Sequence, residues 1–303
     1  LGFTPEMTLA PRTRYYWRVE ATSEKGETAV SETAWFETAK QDEPWQAEWI
    51  EAPFDRQIHP LFAKPFTLRE APVRARVYVT GLGVYELTVN GERVSDEVLA
   101  PFYNDYDNWI QYQTYDITPL LRAGENRFDA MLGNGWYKGR FGWVENMCEL
   151  FGDRMKLLAE IRCEFADGSE LVLGTDGTWL CHASPVVESS IYDGEVYDAR
   201  LELAPGSLEG FVNAKASETP AGALTARLSP PVRICERRKP ARLLHTPAGE
   251  NVIDFGQVMT GWVEFDCDLP EGAKVYLQFG ELLQHDNFYR DNLRTAKEEF
   301  TFI

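Results

Sequence analysis

The sequence lacks long apolar runs. No segment approaches the roughly 20 consecutive apolar residues of a membrane-spanning helix. The first residues also do not combine a charged lead with the apolar core of a secretion signal. We therefore expect no membrane partner.

Cysteine and histidine are also scarce, and neither is clustered. The four histidines stand apart from one another, and the five cysteines form no C-x-x-C pair; the cysteines are Cys148, Cys163, Cys181, Cys235 and Cys267. This spacing argues against a zinc site and predicts free thiols in a reducing compartment, so we expect a cytoplasmic protein. One or two disulfides and a secreted parent protein stay open as alternatives.

Positive charge is in short supply. The 30 Lys and Arg residues face 48 Asp and Glu residues, which gives a net charge of −18. Such a chain repels nucleic acid and anionic membranes, so we expect no nucleic-acid partner. The compact basic run, interpreted as the solvated end of a strand, consists of Arg233, Arg237, Arg238 and Lys239.

What the sequence does contain is short alternating stretches bounded by Gly, Pro, Asn and Asp, the pattern of β-strands. Val73–Val79 alternates in this way and is expected to break at residues 80–83. Asn90-Gly91 predicts a two-residue hairpin turn, and Asp167-Gly168 predicts a second one. With 303 residues, 44% of them hydrophobic, the chain is long enough for two or more units.

The first 40 residues have a signature of their own. Tyr15, Trp17 and Val19 fall on one face of a strand that follows Pro11. This resembles the tyrosine corner of a fibronectin type III sandwich, in which a Tyr hydroxyl bonds backwards to the chain. A single two-stranded ribbon cannot bury a core, so we expect the chain to begin inside a domain.

Several strings further along resemble those of one enzyme family. The Asn90-Gly91 hairpin, Asp116-Ile117-Thr118 and Gly124-Glu125-Asn126 resemble the galactose-binding-like jelly roll of many glycosidases. Narrower strings follow in order: YQTYDIT (112–118), GNGWYKGRFGW (133–143), IYDGEVYDAR (191–200), DFGQVMTGWVEF (254–265) and NLRTAKEEFTF (292–302). Together they resemble the N-terminal β-domains of bacterial α-L-rhamnosidases from Trp45 onward.

This resemblance implies an all-β fold of tandem β-sandwiches. We predict three units: the last strands of a fibronectin type III-like domain at 1–40, a carbohydrate-binding-like jelly roll at 41–230, and a second β-sandwich, cut short, at 231–303. The resemblance also implies a parent enzyme that removes terminal α-linked L-rhamnose with inversion, using carboxylates in a C-terminal (α/α)6 barrel. The acidic motif of that barrel is absent from this sequence, so we predict no catalytic residue in it.

The loop at 103–109 packs polar oxygens and aromatic rings closely, and sugars are held by both. The candidate sugar-binding residues are Asn104, Asp105, Asp107, Asn108 and Trp109. Asp105, Asp107 and Asn108 also offer oxygen ligands of the kind that Ca²⁺ takes, and some rhamnosidase relatives use this jelly roll as a calcium-dependent rhamnose-binding module. No other cofactor is expected. Because Asx residues are ordinary turn formers, a plain loop is the alternative.

A second candidate wall lies at 133–143. Asn134 stands between two glycines that permit a tight turn, and Trp136, Tyr137 and Trp143 supply rings that can face a sugar. A buried Trp is the usual finding in a sandwich, so a structural role is the favoured interpretation of Trp136. For the same reason Trp262 is expected in the core of the second sandwich.

Three acidic residues in IYDGEVYDAR are the most suggestive carboxylates of the chain: Asp193, Glu195 and Asp198. An inverting glycosidase needs one protonated and one ionised carboxyl group about 6.5–9.5 Å apart. Asp193-Gly194 is a turn sequence and Arg200 is a ready counter-ion, so we interpret these residues as structural or interdomain.

The leading functional hypothesis is a non-catalytic N-terminal part of an α-L-rhamnosidase, giving structural support and calcium-assisted sugar binding. Its expected partners are L-rhamnose-containing glycosides, its own catalytic barrel and, through unpaired strand edges, a second copy of the chain. The alternatives are a stand-alone lectin-like module, the sugar-binding domain of a β-galactosidase-type glycosidase, and a spacer.

Overall fold

The structure is a computed structural model, and it describes residues 6–141 and 147–303. Nearly all of its regular structure is β-strand. The single α-helix of the described residues, α1, spans Gly135–Lys138, and 3-10 turns lie at Thr118–Leu120, Ala199–Leu201 and Asp291–Leu293. No helix in these parts of the chain is long and apolar enough to cross a membrane. The prediction of an all-β fold is confirmed.

The N-terminal hairpin consists of two consecutive antiparallel strand pairs. Its strands are β1 (Arg14–Trp17), β2 (Glu20–Thr22), β3 (Thr28–Val30) and β4 (Ala34–Glu37), with β1 paired to β4 and β2 to β3. The Tyr15 hydroxyl accepts a hydrogen bond from the backbone N–H of Ala10 at 2.6 Å. This bond confirms the predicted tyrosine corner.

Charged side chains fasten the hairpin to the unit that follows. Glu37 accepts a hydrogen bond from Arg76 Nε at 2.8 Å, and Arg74 Nη2 lies 3.2 Å from the same carboxylate. The Arg76 and Glu37 side chains are only 7% and 12% exposed. An ion pair that is this well shielded is screened much less by salt than one on the surface.

The connection after the hairpin is fixed by a fully buried ion pair. Lys40 Nζ lies 2.6 Å from Glu160 Oε1, and neither side chain is exposed. Glu160 also accepts hydrogen bonds from Arg162 Nε at 2.6 Å and from the backbone N–H of Gln46 at 2.5 Å. Burying these charges is costly, and the additional hydrogen bonds offset that cost.

The jelly roll consists of two sheets packed face to face. The first sheet contains, in spatial order, β18 (Lys215–Ala216), β5 (Ile50–Glu51), β12 (Lys156–Glu164), β7 (Arg74–Leu82), β10 (Trp109–Asp116) and β19 (Ala223–Ala226), with β13 (Glu170–Gly174) also paired to β12. The second contains β17 (Val212–Asn213), β14 (Leu180–Ala183), β6 (Pro60–Leu68), β11 (Gly124–Gly133), β8 (Val84–Val89) and β9 (Glu92–Arg93). Neighbouring strands are antiparallel, except that β10 and β19 run parallel.

Apolar side chains from both sheets meet in one core. Phe62, Val77 and Phe128 are completely buried, as is Trp179. The Trp179 ring lies edge-on to Phe128 at 5.8 Å, and its Nε1 donates a hydrogen bond to the Gly174 carbonyl at 2.8 Å. The indole therefore fills the core without leaving its N–H unsatisfied.

Both predicted hairpin turns are present. Asn90 and Gly91 have φ values of 55° and 83°, the left-handed pair of a tight hairpin turn between β8 and β9. Asn90 Nδ2 also donates to Asn126 Oδ1 at 2.9 Å. Two of the strings that carried the resemblance thus hold neighbouring turns together. The Asp167-Gly168 turn joins β12 to β13.

The expected break at residues 80–83 is wrong for most of its length, because β7 continues through Leu82. Gly81 pairs with Leu157 of β12 like any other residue of the strand. The chain turns at Gly83, where φ is 127° and a Cβ atom would lie 2.4 Å from the Gly133 carbonyl oxygen. A glycine is required there by both backbone conformation and space.

A third sheet draws strands from distant parts of the sequence. It contains, in order, β15 (Val186–Ser190), β16 (Gly194–Tyr197), β25 (Glu299–Phe302) and β22 (Val275–Gln278). The pair β16–β25 is parallel and the others are antiparallel. Two further hairpins pair β20 (Arg242–His245) with β21 (Asn251–Asp254), and β23 (Leu282–Gln284) with β24 (Asn287–Tyr289). The third sheet joins segments on both sides of residue 230, and the three domain ranges remain a prediction.

The expectations for Trp262 and for the cysteines have different outcomes. Trp262 is 48% exposed, so its predicted core position is wrong: the described residues 255–274 around it form no strand that could bring a second sheet over the ring. All five cysteines are free thiols, as expected. Burial raises the pKa of Cys163 and Cys181 to about 11.

Candidate functional site

The two candidate segments of the sequence lie together at one end of the jelly roll. The rings of Tyr106 and Tyr137 meet at 5.0 Å, and those of Phe102 and Trp136 meet at 5.2 Å. The segments are about 30 residues apart in sequence, so their contact is a product of the fold. Phe151 packs against Tyr106 with ring centroids 4.9 Å apart and adds a further ring to the cluster.

Asn104, a predicted sugar ligand, faces the interior. Its side chain is fully buried, and its Oδ1 accepts hydrogen bonds from the backbone N–H of Gln111 at 3.0 Å and from Gln111 Nε2 at 3.2 Å. Its Nδ2 donates to the Phe102 carbonyl at 2.9 Å. Both ends of this amide are occupied within the protein, so Asn104 braces the loop.

The remainder of the loop is a turn built on Asp105. Its carbonyl accepts hydrogen bonds from the N–H groups of Asn108 at 2.9 Å and Trp109 at 2.8 Å, and its Oδ2 accepts one from Asn108 Nδ2 at 2.8 Å. Trp109 is half-buried and begins β10. Asp107 and Asn108 are exposed, which leaves them as the polar groups of this loop most open to a ligand.

The donors in this loop are few for calcium. Calcium commonly takes six to eight oxygen ligands. The loop supplies two carboxylates, and one of them already accepts a hydrogen bond from Asn108. Across residues 6–141 and 147–303, no three acidic, histidine or cysteine side chains come together as a metal site. Calcium-assisted binding through Asp105, Asp107 and Asn108 stays a prediction.

The second candidate segment forms α1 and the residue before it. Asn134 Nδ2 donates to the Ser189 carbonyl at 2.8 Å, which ties α1 to β15. Tyr137 is 7% exposed, and burial raises the pKa of its phenol to about 12. Trp136 is half-buried against Phe102. Trp143 lies outside the described residues.

The most exposed rings of this region were not among the sequence candidates. Phe102 is 44% exposed and Tyr103 is 41% exposed. Tyr103 lies edge-on to Tyr106 at 6.5 Å and to Phe141 at 6.3 Å. We call Phe102, Tyr103 and Trp136 the aromatic face. The signal that could have found it is a pair of consecutive aromatics directly before a dense Asx turn.

The suggestive carboxylates of IYDGEVYDAR are engaged with arginines. Hydrogen bonding from Arg140, whose Nε lies 2.7 Å from Asp193 Oδ2, holds the pKa of Asp193 below its usual value. Hydrogen bonding from Arg200, at 2.6 Å, does the same for the pKa of Asp198. Glu195 is exposed. Two of the three residues thus have the structural partners that their sequence context suggested.

A two-sheet jelly roll with aromatic residues grouped at one end, preceded by a tyrosine-corner hairpin, defines an all-β protein of tandem β-units. Comparison with known families identifies the family: the chain belongs to the family of the alpha-L-rhamnosidase N-terminal domain, whose model matches residues 70–236. Residues 244–303 match the bacterial alpha-L-rhamnosidase concanavalin-like domain, and residues 3–42 match the Rha78A-like, N-terminal immunoglobulin domain. These matches confirm the resemblance found in the sequence.

Individual relatives agree with the family. The chain is 35% identical to an alpha-L-rhamnosidase of Streptomyces avermitilis over 237 residues, which cover 76% of this chain and 23% of the relative. The crystal structure of native alpha-L-rhamnosidase from Aspergillus terreus superposes with a TM-score of 0.91 at 30% identity, covering 98% of this chain and 36% of that one. The alpha-L-rhamnosidase from Dictyoglumus thermophilum gives a TM-score of 0.81 at 31% identity, covering 97% and 35%. The chain therefore spans about a quarter to a third of the length of these relatives.

Proposed function

We propose that this chain is the non-catalytic N-terminal part of an α-L-rhamnosidase that hydrolyses terminal α-L-rhamnosides. We further propose that it supports the catalytic unit and binds saccharide on the aromatic face. The observation that carries the first part is coverage: rhamnosidase family models match residues 3–42, 70–236 and 244–303, yet the chain corresponds to only 23% of one curated relative and 36% of one solved relative.

The state of the most suggestive carboxylates bears on the proposal that this chain is not the catalytic part. An inverting mechanism needs a carboxyl group that stays protonated until it donates to the leaving group. Asp193 and Asp198 are each held in the ionised form by an arginine, with their pKa values lowered. Neither aspartate is suited to the acid role, whereas burial raises the pKa of Glu195. We assign hydrolysis to carboxylates elsewhere in the longer protein because the chain covers only part of its relatives.

Hydrolysis of an aryl α-L-rhamnoside tests this assignment. The 303-residue chain is expected to release no aryl alcohol above the buffer rate, whereas a longer protein that carries the catalytic barrel is expected to turn the substrate over. Turnover by the chain alone at a rate typical of glycosidases would overturn the assignment.

Saccharide binding is supported by the chemistry of the aromatic face. Phe102 and Tyr103 present rings to solvent that can cover the apolar C–H face of a sugar. Asp107 and Asn108 lie exposed in the adjoining turn and can accept or donate hydrogen bonds to sugar hydroxyls. Planar rings beside a few placed polar groups are what a small polar ligand with apolar faces requires.

Titration calorimetry with methyl α-L-rhamnoside tests the binding. Replacing Trp136 by Ala is expected to weaken binding about fivefold to tenfold, because a stacked ring contributes on the order of 1 kcal/mol. Trp262→Ala is the matched control, since Trp262 is a 48% exposed tryptophan far along the chain from the face. The idea fails if the two variants bind equally well.

Calcium dependence is tested in the same titration. If Asp105, Asp107 and Asn108 hold Ca²⁺, a chelator lowers the affinity, added Ca²⁺ restores it, and Asp107→Asn no longer responds to either. An affinity that is unchanged by chelator in the wild-type chain would rule out the calcium site while leaving sugar binding intact.

A purely structural role is the second candidate, and a specific observation favours it. Asn104 uses both ends of its amide for internal hydrogen bonds, and Asn134 donates its Nδ2 to the Ser189 carbonyl. If the wild-type chain binds no rhamnoside with or without Ca²⁺, the jelly roll is a support for the catalytic unit and the lectin-like alternative falls with the binding proposal.

A further inference from the structure

A row of aromatic rings leads from the aromatic face towards the third sheet. Tyr103 and Phe141 have ring centroids 6.3 Å apart, and Phe141 and Tyr192 have centroids 6.0 Å apart. Phe141 and Tyr192 are both half-buried. Tyr192 precedes β16, whose parallel neighbour is β25. The row therefore crosses from the jelly roll to a sheet that contains C-terminal strands.

Arg140 links the segments that carry Phe141 and Tyr192, the last two rings of this row. Its Nε donates to Asp193 Oδ2 at 2.7 Å and its Nη2 donates to Asp193 Oδ1 at 2.5 Å, a fork that fits one carboxylate. Its Nη1 lies 3.2 Å from Thr295 Oγ1, and its Nη2 also donates to the Thr295 carbonyl. Arg140 directly precedes Phe141, while Asp193 directly follows Tyr192, so the fork links the neighbours of both rings.

The backbone around Tyr192 is fixed from the C-terminal side as well. The Tyr192 carbonyl accepts hydrogen bonds from the N–H groups of Lys297 and Glu298, each at 3.1 Å. The loop that supplies these donors contains two non-glycine residues with left-handed φ, Arg294 at 60° and Glu298 at 44°. Such conformations persist where the surroundings determine them. The position of Tyr192 is thus set by contacts from two units.

We propose that Phe141 and Tyr192 form a second saccharide subsite next to the aromatic face, so that the chain binds two consecutive sugar units of a rhamnoside more tightly than one. This rests on the proposed sugar binding by the aromatic face. The occupant is a saccharide because the end rings of the row are tyrosines, which combine an apolar face with a hydroxyl at the edge. Arg140 acts as a positioning residue that does not touch the ligand.

Calorimetric titration with two probes tests the subsite: methyl α-L-rhamnoside, and the methyl glycoside of a disaccharide of two α-linked L-rhamnose units. The wild-type chain is expected to bind the disaccharide about fivefold to tenfold more tightly, the contribution of one further stacked ring. Tyr192→Ala is expected to remove this gain without changing the affinity for the monosaccharide, and Tyr192→Phe, which keeps the ring, is expected to retain at least half of it.

Arg140→Lys provides a second, independent variant, because lysine keeps the charge but loses the planar fork. It is expected to lose the disaccharide gain while its monosaccharide affinity and thermal midpoint stay near those of the wild type. The subsite is overturned if the wild-type chain binds both probes equally, or if Tyr192→Ala keeps the gain. Absence of binding for both probes would instead overturn sugar binding itself, and the subsite with it.

Discussion

The jelly roll and the segment from Arg233 to Ile303 both contain short stretches of alternating apolar and polar residues. Their strands differ in how far the side chains are buried. In β7 every residue after the first is buried, whereas in β22 no residue is. Leu243 and Val258 of the C-terminal segment are 70% and 66% exposed. Alternation therefore predicts a strand in both regions, but a core forms only where a second sheet lies over the apolar side. The predictions below test this contrast, from the largest expected effect to the smallest.

Removing one tryptophan from each region should separate them most clearly. Trp179→Ala is expected to lower the free energy of unfolding by about 3–5 kcal/mol, because it leaves a cavity between Phe128 and the Gly174 carbonyl. Trp262→Ala should change it by no more than about 0.5 kcal/mol, since the ring is largely in solvent. Urea denaturation followed by circular dichroism measures both. Equal losses would contradict the contrast in burial.

Ion pairs offer a second matched comparison. Glu160→Gln leaves Lys40 charged in a fully buried position and is expected to cost about 3 kcal/mol. Glu264→Gln breaks the exposed pair with Arg237 and is expected to cost far less than Glu160→Gln, a loss that salt should further reduce. Denaturation at low and high salt distinguishes the two. A small loss for Glu160→Gln would mean that water reaches Lys40.

The jelly roll should also carry a pH dependence that comes from one histidine. His59 is 3% exposed, and burial together with the neighbouring Lys138 charge lowers its pKa to about 4. Between pH 6.5 and 4 the imidazole binds a proton in the unfolded chain but not in the native state. The free energy of unfolding therefore decreases as the pH is lowered, by up to about 1.4 kcal/mol per pH unit. His59→Leu should flatten this slope between pH 6.5 and 4.5. An unchanged slope would assign the dependence to other groups.

The smallest effect on stability is expected at the β16–β25 pair, which joins the earlier and later strands of the third sheet. Gly194 has φ 102°, and a Cβ atom there would lie 2.0 Å from the Glu299 carbonyl oxygen. Gly194→Ala should weaken the β16–β25 pair locally by about 2 kcal/mol, because both the backbone conformation and the space favour glycine. Hydrogen exchange should show faster exchange in β25 with unchanged protection in β7. Loss of protection in both strands would mean that the two regions unfold together.

Local features of the fold could be predicted from the sequence, because neighbouring residues determine them. The Asn90-Gly91 turn follows from two residues that tolerate left-handed backbone, and the bond from Ala10 to Tyr15 spans only five positions. The continuation of β7 past Thr80 could not be predicted in the same way. It depends on pairing of Gly81 with Leu157, a residue far along the chain.

The candidate site was predictable in location but not in orientation. The dense Asx turn and the Trp136 segment do meet, yet which side chains face outward depends on partners from other strands. Asn104 faces inward, where its oxygen accepts a hydrogen bond from Gln111 of β10, whereas Phe102 is 44% exposed although its ring meets that of Trp136. The exposure of a side chain depends on tertiary contacts, so a local pattern of residue types does not predict it.

The parallel pairing of β16 with β25 sets an order of events during synthesis. Val196 pairs with Thr301, so β16 leaves the ribosome about a hundred residues before its neighbour, a delay of roughly 5–20 s at usual elongation rates. The jelly roll, whose last strand ends at Ala226, can close during that interval. We therefore expect newly made chains to pass through a stage with a finished sandwich and one open strand edge at β16, the point at which a nascent chain is most exposed to mispairing.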